Sequence, residues 1–79
     1  MPVPKMHPVE SSAVKAIGYD ADADDAYVEY LDGGLYAYEG VPARVFEELT
    51  SAESKGTFVN TVIKEYPFRA VAGGSVRGA

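Results

Sequence analysis

The chain has 79 residues and no cysteine, so neither disulfides nor a cysteine-ligated zinc can supply stability; its 47% apolar content must build one small core. Its net charge of −5 opposes non-specific binding to phosphate backbones, and the imbalance is central, with eleven carboxylates against Lys15, Arg44, Lys55 and Lys64 over residues 13–68. No apolar run approaches the roughly 20 residues of a membrane helix, and the opening MPVPKMHPVESS lacks the apolar stretch of a signal peptide, so a cytoplasmic location is expected.

Residues 1–11 carry three prolines without periodicity and read as a flexible N-terminal tail. VKAIGY, residues 14–19, has the β-branched and aromatic content of a strand. The acidic run DADADD, residues 20–25, reads as a turn, because aspartate side chains bond nearby backbone and are depleted from strands. AYVEYL (26–31) and LYAYE (35–39) form two further strands around Asp32-Gly33-Gly34, the strongest hairpin signal in the chain. Pro42 suits a first helical turn, and Val45, Phe46, Leu49 and Ala52 then recur at helical spacing. Ser54 reads as the cap of a second helix whose stripe is Phe58, Val59, Val62, Ile63 and Tyr66, stopped by Pro67. Residues 70–79, with three glycines, read as a flexible C-terminal tail. The expected domain therefore spans residues 12–69. Its fold class is α+β, a three-stranded antiparallel meander followed by two helices packed on one sheet face.

A three-residue hairpin loop, Asp32-Gly33-Gly34, pairs Leu31 with Leu35, Tyr30 with Tyr36 and Val28 with Tyr38, with Gly34 supplying the positive φ. That register gathers Val28, Tyr30, Tyr36 and Tyr38 on the face expected to lie under the helices. Tyr27, Leu31 and Leu35 fall on the opposite face, flanked by Glu29 and Glu39, and make a candidate partner face.

Other candidate sites are weaker. Asp20, Asp22 and Asp24 alternate like the start of a calcium loop, but Asp25 and Leu31 stand where glycine and glutamate are required, so a solvated acidic turn is expected. His7, the lone histidine, has no orienting partner in the tail, and no serine has a base or nucleophile-elbow context. No catalytic, cofactor or metal constellation emerges. In SKGTFVN, residues 54–60, Lys55 with the helix start, assisted by Lys64, is a candidate contact for an anion or nucleic acid. The structural alternative is that Ser54 caps the helix, Gly56 permits close packing and Asn60, in an amphipathic stripe, bonds neighbouring backbone.

Taken together, IGYD (17–20), GGLYAYEGVP (33–42), FEELTSAESKGTFVN (46–60) and IKEYP (63–67) resemble the KTSC domain, a family named for the C-terminus of some lysyl-tRNA synthetases and found also as small stand-alone bacterial proteins. The resemblance rests on Tyr36 and Tyr38, on Gly40 and Pro42, and on Ser54, Gly56, Phe58 and Asn60, which serve mainly structural roles in this reading. The family it resembles has no established molecular function; RNA binding is suggested for it, largely from the synthetase context. The acidic 20–25 loop, and Thr57 and Val62 in place of more polar or basic residues, weigh against that here. The expected function is a non-catalytic interaction module without cofactor, contacting a protein partner or a second copy of itself in a homodimer; the alternative is an accessory domain for RNA or single-stranded nucleic acid.

Overall fold

The computed structural model of the chain describes residues 4–71; residues 72–79 of the expected C-terminal tail lie outside it. The elements run β1 (His7–Pro8), β2 (Val14–Asp20), β3 (Asp25–Tyr30), β4 (Leu35–Glu39), α1 (Ala43–Ser51), α2 (Lys55–Thr61), a 3-10 turn over Ile63–Glu65 and β5 (Phe68–Ala70). The strands form one antiparallel sheet in the order β1-β2-β3-β4-β5. The fold is α+β with two helices, as expected, but the sheet has five strands instead of three. Both additional strands are too short to show alternation: β1 is a His-Pro pair inside the proline-rich opening, and β5 is three residues following Pro67. Their pairing is decided by the strands they meet.

Local chemistry explains the central elements. In β2 the ladder shifts between Val14 and Ala16, a bulge that sends Val14, Ile17 and Tyr19 to the same face despite their uneven spacing. The acidic turn is closed by Asp20, whose Oδ1 accepts from the N–H groups of Asp22 and Ala23, and by Asp24 at a positive φ of 57°. Pro42 caps α1, with its carbonyl accepting from the N–H groups of Val45 and Phe46. Ser54 caps α2, its Oγ accepting from the Thr57 N–H at 3.3 Å. The second helix is shorter than its stripe suggests: α2 ends at Thr61 and the chain tightens into the 3-10 turn before Pro67.

The hairpin loop has three residues, but they are Leu31, Asp32 and Gly33. Tyr30 N–H donates to the Gly34 carbonyl, Gly33 N–H donates back to Tyr30, and Gly33, not Gly34, takes the positive φ of 100°. Val28 therefore faces Tyr36, and Ala26 faces Tyr38. This is a slip of two residues from the expected register; it moves Leu31 into the loop but leaves the side chains of the paired strand residues on their expected faces, because the strand period is two.

The helix-side core holds Val14, Ile17, Ala26, Val28 and Tyr38 of the sheet against Val41, Leu49, Val59 and Ile63. The Gly40-Val41-Pro42 step is pinned onto the acidic turn, since Val41 N–H donates to Asp24 O at 2.8 Å and the Tyr19 hydroxyl donates to Val41 O at 2.6 Å. Tyr19 itself stacks on Phe46 of α1 at 5.1 Å. The opposite sheet face is not open. Lys5 and Met6 cross it directly over Gly18, where any side chain would collide with them. Arg69, entering from β5, spans its other half.

Candidate functional site

The helices do not reach the whole of their sheet face. Beyond the 3-10 turn, toward the β3–β4 hairpin, lies a cleft of about 420 Å³ lined by Tyr30, Asp32, Tyr36, Tyr38, Lys64 and Phe68. Tyr30 arrives from the end of β3, Tyr36 and Tyr38 from alternate positions of β4, and Phe68 from β5, where it pairs with Tyr38. The period of two thus places three tyrosines and a phenylalanine on one side.

The rings hold one another in place. Tyr36 meets Tyr30 edge-on at 5.7 Å and Phe68 edge-on at 5.6 Å, while Phe68 lies tilted at 5.6 Å from Tyr38. Gly34 makes this possible: a Cβ there would lie 3.0 Å from the Tyr36 ring. Tyr38 is 3% exposed, whereas Phe68 at the mouth is 59% exposed. The Tyr30 and Tyr38 hydroxyls share a hydrogen bond of 2.8 Å. Burial pushes the Tyr30 hydroxyl well above the ordinary tyrosine range, and its bond to Tyr38 adds to the effect. At neutral pH the Tyr30 hydroxyl stays protonated and serves as a hydrogen-bonding group. Lys64 and Asp32 provide one charge of each sign at the rim.

The expected partner face fares differently. Tyr27 is 6% exposed, and its hydroxyl accepts from Arg69 at 3.4 Å. Arg69 also donates to Asp25 at 3.1 Å and Glu39 at 3.0 Å, contacts that hold its guanidinium above its usual range, Glu39 first and Asp25 second. Leu31 is 56% exposed in the hairpin loop, and Leu35 is half-buried opposite Glu29. Leu31 and Leu35 remain at the surface, but Tyr27 offers no contact area.

Of the two candidate cations, Lys64 joins Tyr36 and Tyr38 at the cleft, while Lys55 does not line it and donates its ammonium to the Ala52 carbonyl at 2.7 Å. Gly56 packs against Ala13 and Ser11 in the segment just before β2, Phe58 is half-buried against the core, and Gly40 takes a φ of 77°. Asn60 is exposed, not buried in the stripe, because α2 turns it outward before the 3-10 turn begins. Among the described residues no group of three acidic, histidine or cysteine side chains is arranged to hold a metal ion, and no helix is long and apolar enough to cross a membrane. Phe68, Asp32 and Arg69 were not legible as site residues: a three-residue strand carries too little pattern, and Asp32 reads equally as turn chemistry.

Comparison with known proteins places these features in a family. The profile of the KTSC domain matches residues 10–68. A protein of Tsukamurella paurometabola is 48% identical over 67 residues, covering 85% of this chain and 98% of its own length. Part of a lysine–tRNA ligase from a Nostoc species is 38% identical over 55 residues, covering 70% of this chain but 10% of that protein. The crystal structure of a KTSC domain protein from Yersinia pestis superposes with a TM-score of 0.82 at 38% identity, covering 85% of this chain and 96% of the other. With its profile match, its motif residues and its shared fold, this chain belongs to the KTSC domain family.

Proposed function

We propose that this domain is a non-catalytic binding module whose ligand is a segment of another protein seated in the Tyr30/Tyr36/Tyr38/Phe68 cleft. The observation that carries the reading is Phe68, a large aromatic ring left 59% exposed yet packed against Tyr36 and Tyr38 beside a concavity. Pre-ordered aromatics beside a pocket are where interface energy concentrates, since little side-chain entropy is lost on binding. The net charge of −5 favours a protein ligand over a polyphosphate one.

Peptides selected against the domain from a random display library test this. They are expected to shift the side-chain resonances of Tyr30, Tyr36 and Phe68 and to lose binding in Phe68→Ser. Selected peptides that map to Leu31 and Leu35 instead, and are lost in Leu31→Lys, would move the site to the hairpin. A concentration-dependent dimer abolished by Leu31→Lys would make the partner a second copy.

A second reading, single-stranded RNA stacked on the same rings, is favoured by Lys64 at the rim and by the kinship with part of a lysine–tRNA ligase. Binding at low salt that weakens with added salt and with Lys64→Gln supports it. The absence of binding to oligonucleotides at low salt rules it out, because electrostatic attraction is strongest there.

A further inference from the structure

Among the described residues, the cleft opens beside a sheet edge with no further strand on it. β5 is the outermost strand among the described residues, and its bonding to β4 is fixed by Glu39 N–H donating to Pro67 O at 2.7 Å and Val71 N–H donating to Leu35 O at 2.9 Å. In an antiparallel ladder, residues 67, 69 and 71 then turn their backbone groups toward β4, and Phe68 and Ala70 turn theirs away. The outer edge therefore presents the N–H and C=O of two alternate residues. Their side chains stand on the cleft side, Phe68 paired with Tyr38 and Ala70 with Tyr36. A strand added here would send every second side chain over the mouth of the cleft.

The chemistry of the cleft selects what that side chain is. Four rings offer π density, Asp32 stands at the lip, and the chain as a whole carries a charge of −5. All three attract a cation, and a planar guanidinium stacks on tyrosine and phenylalanine while bonding a carboxylate. Lys64, which also lines the cleft, repels a free cation but can donate to carbonyl oxygens, so it favours a cation carried on a peptide backbone.

Resting on the reading of the cleft as a protein-segment site, we propose that the β5 edge and the cleft together bind an extended basic segment as an added strand, with an arginine side chain lying among Tyr36, Phe68 and Asp32. The probe is an acetylated, amidated peptide of alternating valine and threonine with one central arginine, titrated into the full chain at moderate salt by fluorescence anisotropy and by amide and aromatic NMR shifts. It is expected to bind, to weaken about tenfold when its arginine becomes glutamine, and to weaken further when it becomes glutamate. Ala70→Pro removes an outward N–H without breaking the β4 ladder and is expected to abolish binding. N-methylation of alternate peptide residues must do the same with the protein untouched, which covers a misfolded variant. Asp32→Asn is expected to lower affinity and flatten its salt dependence.

Equal affinity for the arginine and glutamine peptides, both lost in Phe68→Ser, would overturn the basic anchor while leaving the cleft as a peptide site. Binding that survives both Ala70→Pro and peptide N-methylation would overturn strand addition. A dimer dispersed by Ala70→Pro would give the edge to a second copy, and Tyr36 and Phe68 shifts on Arg77→Gln in the free protein would give the cleft to the chain's own residues 72–79; either result overturns the proposal. Failure of every peptide alongside saturable oligonucleotide binding at the rings would overturn both this inference and the reading beneath it.

Discussion

Replacing Gly18 by alanine is expected to detach the N-terminal segment from the sheet face opposite the helices. A Cβ at this position lies 2.7 Å from the Met6 sulfur and 2.8 Å from the Lys5 carbonyl oxygen. The thioether can swing aside, but the Lys5 oxygen belongs to the backbone entering β1, so the strand must move with it. Among the described residues β1 is held by the His7–Ile17 and Pro8–Ala16 pairs, by the Val9 N–H donating to Lys15 O at 3.1 Å and by the Val9 side chain packed on the core. A net of about 1 kcal/mol for each backbone bond, and about the same or more for each of half-buried Met6 and Val9, is largely offset by the conformational freedom regained by roughly five residues at about 1 kcal/mol each. Release is therefore inexpensive, and Gly18→Ala should cost about 1–2 kcal/mol, the lower range for an overpacked site. Urea unfolding measures the cost, and hydrogen exchange at the Val9 amide locates it. In a chain lacking residues 1–9 the same substitution should be neutral or slightly stabilising, because alanine is the better strand residue once nothing lies above it. An unchanged midpoint together with unchanged protection at Val9 would refute the assignment of residues 5–6 as the cover of this face.

Three further outcomes follow from the same geometry. Gly33→Ala, at a φ of 100°, should cost about 1–2 kcal/mol by chemical denaturation. Gly34→Ala should cost less but alter the aromatic NMR shifts of Tyr36, whose ring lies 3.0 Å from the added Cβ; the reverse order of costs would restore the register with Gly34 at positive φ. Leu49→Ala, at a fully buried position, should cost about 2–5 kcal/mol, a large part of the stability of a domain this size, read as a lowered melting temperature. The Tyr30 hydroxyl is raised by burial and by Tyr38, and that of Tyr19 by burial and by Asp24, so folding favours their protonated forms. Their contribution is fully present below the ordinary tyrosine value of about 10 and is lost as pH rises from there toward the folded-state values. Denaturation midpoints should fall above about pH 10, and Tyr30→Phe should shallow that fall; an unaltered alkaline limb would show that Tyr30 does not titrate differently on folding.

Much of this protein is legible one stretch at a time. The β-branched and aromatic runs mark three strands, Ser54 caps a helix, and Pro42 and Pro67 bound the helical half, because each depends on chemistry within a few residues. The faces of the hairpin follow from the period of two, which is why Tyr30, Tyr36 and Tyr38 stand on the same side even though the register differs by two residues. Long-range contacts decided the rest. Nothing near Tyr27 signals that Arg69, 42 residues away, reaches its hydroxyl, or that Lys5 and Met6 roof Gly18; these contacts close a face that alternation alone leaves half apolar and open. Strands of two and three residues acquire their identity only from a neighbour's free edge, so β1 and β5 carry no pattern of their own. The cleft is of the same kind: its tyrosines are written in the sequence, but its walls exist only because β5 brings Phe68 beside them and the short second helix stops before covering them.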